Sequence, residues 1–335
     1  MRYRQLMFVS PWQVELQDAH EDLEALAPDQ VLIRTRYSLI SPGTELACLS
    51  GREPWFDMPR TPGYVSVGEV VASGEAVEGC APGDEVFQYG AHAEYTVADA
   101  GGLLVRVPEG IDPKLVPFTR IATIAMTALR VSDIEVGDEV AVVGLGLVGN
   151  LAAQLARLQG GRVIGIEPNE ARLESARACG LERWAPATAE AARETVMELT
   201  GGSGVATLIE ATGIPQAAVE AITLVARRGE MILLGSPRGE LQTNLTDFLN
   251  YVHIASRSSV TLRGAHEWRF RVLHDPFVKH SIERNTHIAF ELMRAGKLAI
   301  EPLLTHMLPP ERAAEAYVGL RDQPDRYLGV LFDWT

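Results

Sequence analysis

Apolar and polar positions change rhythm along this chain. Residues 1–115 carry short stretches of alternating or β-branched apolar residues, at Gln30–Ser38, Tyr64–Ser73 and Ala93–Val97. Gly- and Pro-rich segments at Ser41–Pro42–Gly43, Arg60–Gly63 and Ala81–Pro82–Gly83 read as turns between them. Short strands at that spacing predict a β-rich, barrel-like antiparallel domain. From about residue 126 the pattern becomes strand, helix, strand, helix. Glu139–Val143, Arg162–Ile166, Ala206–Ile209 and Met231–Leu234 are apolar runs suited to buried parallel strands. Amphipathic stretches separate them, at Val148–Leu158, Glu170–Ala178 and Pro215–Ala226, so the predicted fold class is α/β with a doubly wound parallel sheet. A further helix over Thr286–Ala295 and a strand over Tyr327–Phe332 follow.

The length, 335 residues, suits two domains. No apolar run is long enough to span a bilayer, and the opening MRYRQLMFVSPWQVEL lacks the pattern of a signal peptide, so a cytoplasmic, membrane-free protein is expected. Acidic residues outnumber basic ones 44 to 30, a formal charge of −14 that repels phosphate backbones and argues against a nucleic-acid partner. Cys48, Cys80 and Cys179 are scattered, odd in number and form no CxxC pair, which argues against a disulfide framework and excludes a four-cysteine metal lobe. The acidic cluster Glu21–Asp22–Glu24 reads as a solvated face.

The strongest chemical signal is Gly144–Leu–Gly146–Leu–Val–Gly149. Alone, GxGxxG is a weak pattern. Here a strand (EVAVV) enters it, a helical stretch (VGNLAAQLARL) leaves it, and the next strand ends in Glu167, 18 residues beyond the last glycine. Gly144 permits the tight turn, Gly146 lets backbone approach a pyrophosphate, and Gly149 allows close helix–strand packing. Leu147 and Val148 open the helix, whose free N–H groups and positive dipole end face the phosphates. Glu167 suits ribose hydroxyls and repels a 2′-phosphate, favouring NAD over NADP, although Arg172 five residues on leaves room for NADP. Thr212, Gly235, Gly264 and Ala265, just past or at the ends of later strands, complete the expected cofactor-binding set.

With that placement, the whole chain resembles the medium-chain dehydrogenase/reductase superfamily. The N-terminal region, MTALRVSDIEVGDEVAVVGLGLVGNLAAQLARL and GKLAIEPLLTHMLPPERAAEAY match it in order and spacing. The resemblance implies a GroES-like catalytic domain at 1–125 plus 268–335, a Rossmann NAD(P)-binding domain at 126–267, a substrate cleft where they meet, and assembly into homodimers or homotetramers. Zinc members of that superfamily carry Cys-x-Thr-Asp, then Gly-His-Glu, then a Cys four residues before a Thr. The matching positions here hold Pro42–Gly43–Thr44–Glu45, Gly63–Tyr64–Val65, and Thr123 before Thr127. Pro42 has no donor atom, and Tyr64 and Thr123 are poor zinc ligands, so no zinc is expected. The structural zinc lobe is also missing, because six residues separate Val86 from Ala93. A narrower resemblance, on ISPGTELACLSG and PGYVSVGEVV, is to bacteriochlorophyllide a dehydrogenase-like proteins; it carries over the zinc-poor site and not the pigment.

Without a metal, the resemblance points to side-chain acids and bases. Thr44 matches the family's proton-relay hydroxyl, Glu45 a carboxylate beside the metal position, and Tyr64 the ligand histidine. His92, in GAHAEY, belongs to the residue type best suited to general-base work at neutral pH. His266, in TLRGAHEW, falls where related chains line the nicotinamide, with Glu267 and Trp268 beside it and His253 near the same edge. Each has a plainer alternative: Thr44 and Glu45 bonding a turn, Tyr64 filling the former metal space, the histidines as structural groups, and Trp55, Phe56 and Trp268 as packing. His20, His274, His280, His287 and His306 carry no functional claim. The expected activity is zinc-independent hydride transfer between a nicotinamide cofactor and a secondary alcohol or ketone, with a sugar- or cyclitol-like polyol as substrate. A quinone or enone reductase, and a non-catalytic nucleotide-binding module, are the alternatives.

Overall fold

The computed structural model describes residues 1–20 and 25–335, so the Glu21–Asp22–Glu24 cluster lies outside the described residues. The chain forms two compact units, one of Met1–Arg120, Phe270–Gly296 and Leu303–Thr335, the other of Ile121–Arg269 and Lys297–Pro302. The first division falls inside the helix Phe118–Val131, a few residues before the boundary read from the sequence. Lys297–Pro302 go with the second unit because Gln154 donates to the Ala299 carbonyl at 3.0 Å and accepts from its N–H at 2.8 Å.

The first unit is built on a seven-stranded sheet, with Gln30–Leu39 as its hub. That strand pairs antiparallel with Ser66–Ser73, Tyr95–Asp99 and Gly329–Asp333, which explains why seven of its ten residues are buried rather than alternating. A hairpin of Arg2–Ser10 and Gln13–His20 precedes it. Its apolar residues Leu6 and Phe8 join Ile40, Leu49, Tyr317 and Phe332 in one core. Tyr64 lies just ahead of its strand, and Ala93 just ahead of Tyr95–Asp99.

Ser41–Pro42–Gly43 does not make a turn between strands; it opens the helix Pro42–Leu49. Pro42 sits at the first helical position, where its missing N–H costs nothing. The Ser41 N–H is satisfied by the Glu45 carboxylate at 2.7 Å, a local bond that starts the helix and fixes Glu45 inward. Farther on, Ser281 caps Ile282–Arg294 by accepting from Arg284 N–H at 3.1 Å, so this helix starts earlier than the periodicity predicts.

The second unit holds a six-stranded parallel sheet. Its order is Trp184–Ala185, Arg162–Ile166, Glu139–Val143, Val205–Glu210, Val225–Leu233, Thr261–Gly264. Buried Ile164, Leu208 and Met231 come from three of these strands. The strand Glu139–Val143 lies between Arg162–Ile166 and Val205–Glu210, so the chain reverses its direction of growth beside it, which is where such sheets bind ligands. The amphipathic stretch from Pro215 is shorter than its pattern suggests: the α-helix ends at Ala221, and Val225 already pairs with Val205. Among the described residues no helix is long and apolar enough to cross a membrane.

Candidate cofactor site and acid–base network

In the second unit the three glycines of the fingerprint meet three different constraints. Gly144 has φ +85°, a left-handed conformation that a side chain disfavours. A Cβ on Gly149 would stand 1.8 Å from the Gly144 carbonyl oxygen, so the helix Leu147–Leu158 sits against the turn only because that atom is missing. A Cβ on Gly146 would meet nothing within 4 Å. Gly146 is also the N-cap of this helix and makes no side-chain cap, which leaves the first N–H groups, those of Leu147 and Val148 among them, for a ligand. Open space before uncapped N–H groups fits a pyrophosphate.

Glu167 is buried at the end of Arg162–Ile166. Its carboxylate accepts from Leu145 N–H at 2.9 Å, inside the glycine turn, and from Asn169 N–H at 3.0 Å. Arg172 stands 3.7 Å away and offsets part of its charge. Thr212 and Gly235 follow the neighbouring strands, and Gly264 ends the outermost one. Ala265 is buried and donates its N–H to the Leu233 carbonyl at 2.9 Å. His266 comes next and is exposed, as is Trp268, while Glu267 between them is buried. His253, at the end of the helix Leu245–His253, is exposed too.

The first unit assembles a polar network around Glu45, which is 2% exposed. One carboxylate oxygen accepts from the Ser41 N–H; the other accepts from Tyr317 Oη at 2.6 Å and meets His92 Nε2 at 2.9 Å. His92 is fully buried, and its Nδ1 lies 2.7 Å from Ser38 Oγ. Trp334 donates its indole N–H to the same Ser38 oxygen at 2.9 Å. A neutral imidazole with its proton on Nε2 satisfies every member: Trp334 to Ser38, Ser38 to Nδ1, and Nε2–H to Glu45. His92, read from the sequence as a base facing substrate, therefore has both nitrogens engaged below the surface. Burial and the adjacent Glu45 carboxylate hold the Tyr317 phenol well above its ordinary range.

Tyr64 is the network's outward member. It is half-buried and donates to Ser41 Oγ at 2.5 Å, with Thr44 as a further hydrogen-bond partner. Burial raises its pKa; the Arg120 guanidinium, 5.4 Å over its ring, acts the other way. Gly63 makes this arrangement possible, since a Cβ there would stand 2.7 Å from the His92 backbone. Trp55 is exposed, whereas Phe56 belongs to the core and packs at 5.7 Å against Phe8.

These residues do not fit a zinc ion. Pro42 is the first residue of a helix, and Tyr64 is engaged with Ser41. In the second unit, buried Thr123 donates to Glu267 at 2.7 Å. Among the described residues no group of three or more His, Cys, Asp or Glu is placed to hold a metal. Ser38, Ser41, Tyr317 and Trp334 were not legible as site residues, because Tyr317 and Trp334 lie more than 270 positions from the groups they touch.

Comparisons with known proteins agree with this architecture. The alcohol dehydrogenase GroES-like domain matches residues 27–109, and the zinc-binding dehydrogenase domain matches residues 148–273. D-guloside 3-dehydrogenase of Escherichia coli (strain K12) is 27% identical, over 93% of this chain and 95% of its own. A protein from Sinorhizobium meliloti 1021 bound to NADP has the same fold, with a TM-score of 0.80 and 21% identity, covering 99% of each chain. So does an alcohol dehydrogenase from Escherichia coli CFT073 complexed with NADH, with a TM-score of 0.81 and 16% identity, again over 99% of each chain.

Proposed function

The chain belongs to the medium-chain dehydrogenase/reductase superfamily and is a nicotinamide-dependent dehydrogenase acting on CH–OH groups; from that premise we propose that it works without catalytic zinc on a sugar- or cyclitol-like polyol. The observation that carries the proposal is the Tyr64 hydroxyl, paired with Ser41 and Thr44, at the position where zinc members place a ligand histidine. A bound nicotinamide would supply the hydride acceptor or donor. Gly144, Gly146, Leu147, Val148 and Gly149 would hold the pyrophosphate, and Glu167 would accept from the adenosine ribose, which favours NAD. Thr212, Gly235, Gly264 and Ala265 complete the cofactor-binding set.

Tyr64, kept as a phenol by burial, gives its proton to the carbonyl oxygen in the reducing direction; the Ser41 and Thr44 hydroxyls then donate hydrogen bonds to the phenolate, and solvent returns the proton. Glu45 and His92 hold the helix that carries Thr44. His266, exposed and adjacent to Ala265, is the candidate second base. D-guloside 3-dehydrogenase, which the chain matches over 93% of its length, supports a sugar-like substrate. Homodimeric or homotetrameric assembly belongs to the same reading and is checked by sedimentation.

The test is NAD reduction by a panel of sugars, glycosides, cyclitols and simple alcohols, before and after exhaustive chelation. Activity on a polyol that survives chelation is expected. Activity lost on chelation and restored by zinc overturns the metal-free reading. Turnover of quinones or enones alone moves the substrate to an activated carbonyl.

A further inference from the structure

We propose that Glu210, to which the sequence pattern assigns no role, is a positioning residue for the dinucleotide, holding the turn on which three glycines of the second unit are packed. This deepens the function proposed above and rests on it.

Glu210 ends the strand Val205–Glu210, immediately beside the strand that leads into the glycine turn. It is 2% exposed. Its Oε1 accepts from the Thr212 N–H at 2.7 Å and from the Thr212 hydroxyl, and its Oε2 faces the Gly213 N–H at 3.4 Å. The backbone adds to the knot: the Glu210 carbonyl accepts from Leu234 and Gly235 N–H at 2.9 and 2.8 Å, and Ala211 donates to Val143 at 2.9 Å.

Three glycines close on this turn. A Cβ on Gly144 would lie 2.6 Å from the Thr212 methyl. One on Gly149, besides striking Gly144, would lie 3.2 Å from Ala211 Cβ. One on Gly235 would lie 2.3 Å from Gly213 N. Backbone packed this closely transmits small displacements, because there is no flexible side chain to absorb them. A shift of Thr212 by a few tenths of an ångström therefore presses on Gly144, and with it on the N–H groups that receive the pyrophosphate.

The chemistry of the residue suits that task. Burying a carboxylate is costly, and here burial pushes its pKa up against the opposing Thr212 and Gly213 hydrogen bonds. An ionised carboxylate only accepts, so it takes the turn's three donors with no N–H or O–H left over. It also orients Thr212. The hydroxyl proton turns inward to Glu210, the oxygen accepts from Ile214 N–H at 2.9 Å, and the methyl is left facing Gly144. A glutamine of the same shape would set an NH₂ against N–H donors.

The experiment compares Glu210→Gln, Thr212→Val and Thr212→Ser with the unmodified protein. It measures NADH affinity by fluorescence, single-turnover hydride transfer at saturating cofactor, and amide exchange of residues 144–149 in the cofactor-free protein. Glu210→Gln should weaken NADH binding about 10–100-fold, the scale of one lost charge-assisted hydrogen bond, with the single-turnover rate little changed. Its exchange at residues 144–149 should be faster. Because Thr212 is itself in the cofactor-binding set, its variants are read by amide exchange in the cofactor-free protein: Thr212→Val should speed exchange at residues 144–149, and Thr212→Ser, which keeps the hydroxyl that Glu210 accepts from, should speed it less.

Unchanged NADH affinity in Glu210→Gln overturns the proposal, and so does faster exchange without weaker binding. If Glu210→Gln does not fold, the amide exchange of residues 144–149 in cofactor-free Thr212→Val and Thr212→Ser decides in its place, and equal exchange in the two overturns the proposal. An unmodified protein that binds neither NADH nor NADPH overturns the functional reading. In that case the exchange data still decide whether Glu210 holds the turn.

Discussion

Glu45 and His92, 47 positions apart, meet at 2.9 Å with both side chains closed off from solvent. The pair joins the helix Pro42–Leu49 to the segment ahead of Tyr95–Asp99, and Tyr317 and Trp334 bind the C-terminal part of the chain to it. In such a network every deletion leaves a buried partner unsatisfied. Tyr317→Phe, which removes one donor from Glu45, should cost about 1–3 kcal/mol of stability. Thermal or urea unfolding measures it, and wild-type stability would mean that water replaces the phenol.

The glycine turn separates folding from binding. Gly149→Ala forces a Cβ toward the Gly144 carbonyl and should cost at least the ~1–3 kcal/mol typical of overpacking, with loss of NADH affinity. Gly146→Ala meets no protein atom, so it should fold normally and still bind NADH more weakly. Melting temperature and NADH titration on both variants check the contrast. An unaffected Gly146→Ala affinity would place the pyrophosphate elsewhere.

NAD should bind more tightly than NADP. A 2′-phosphate beside the Glu167 carboxylate costs on the order of 1–4 kcal/mol in a partly screened site, and Arg172 at 3.7 Å reduces that figure. Glu167→Ser should narrow the gap, and Arg172→Ala should widen it. Fluorescence titrations with NADH and NADPH give the comparison; equal affinities in the unmodified protein count against the assignment.

Tyr64→Phe should lower the single-turnover rate by ~10²–10⁴, the usual contribution of a positioned acid or base, while NADH affinity stays close to normal. His266→Asn tests the second candidate in the same assay, and His92→Asn should act chiefly through stability. Normal rates and pH dependence in all three variants would favour an activated enone- or quinone-type substrate.

Alkaline pH should unfold the protein as its buried and half-buried tyrosines ionise. Burial raises the pKa of Tyr37, Tyr64, Tyr89 and Tyr317. Above the ordinary value of about 10 the unfolded chain loses these protons first, the folded state binds more protons, and stability falls as pH rises. Absorbance of phenolate and circular dichroism, followed together from pH 9 to 12, should show one shared transition. Separate ionisation in a folded protein would contradict the burial.

The sequence by itself determined the fold around the glycine turn of the second unit. Strand, glycine turn, helix and second strand are consecutive, so their dihedral and periodic requirements are written in adjacent residues. Glu167 follows from its offset along one strand–helix–strand unit, and the β-rich first region from turn residues between short apolar runs. Only the tertiary structure decided which polar residues meet. Ser41–Pro42–Gly43 reads as a turn between strands, and the Glu45 bond to Ser41 N–H, braced from the C-terminal region by Tyr317, makes it a helix start instead. His92 reads as a free base until packing closes it between Ser38 and Glu45. Glu210 reads as the polar end of a strand until three glycines from two segments close around the turn it holds. Periodicity fixes which face of an element is apolar; the partner of a buried polar group depends on which distant segment packing brings to it.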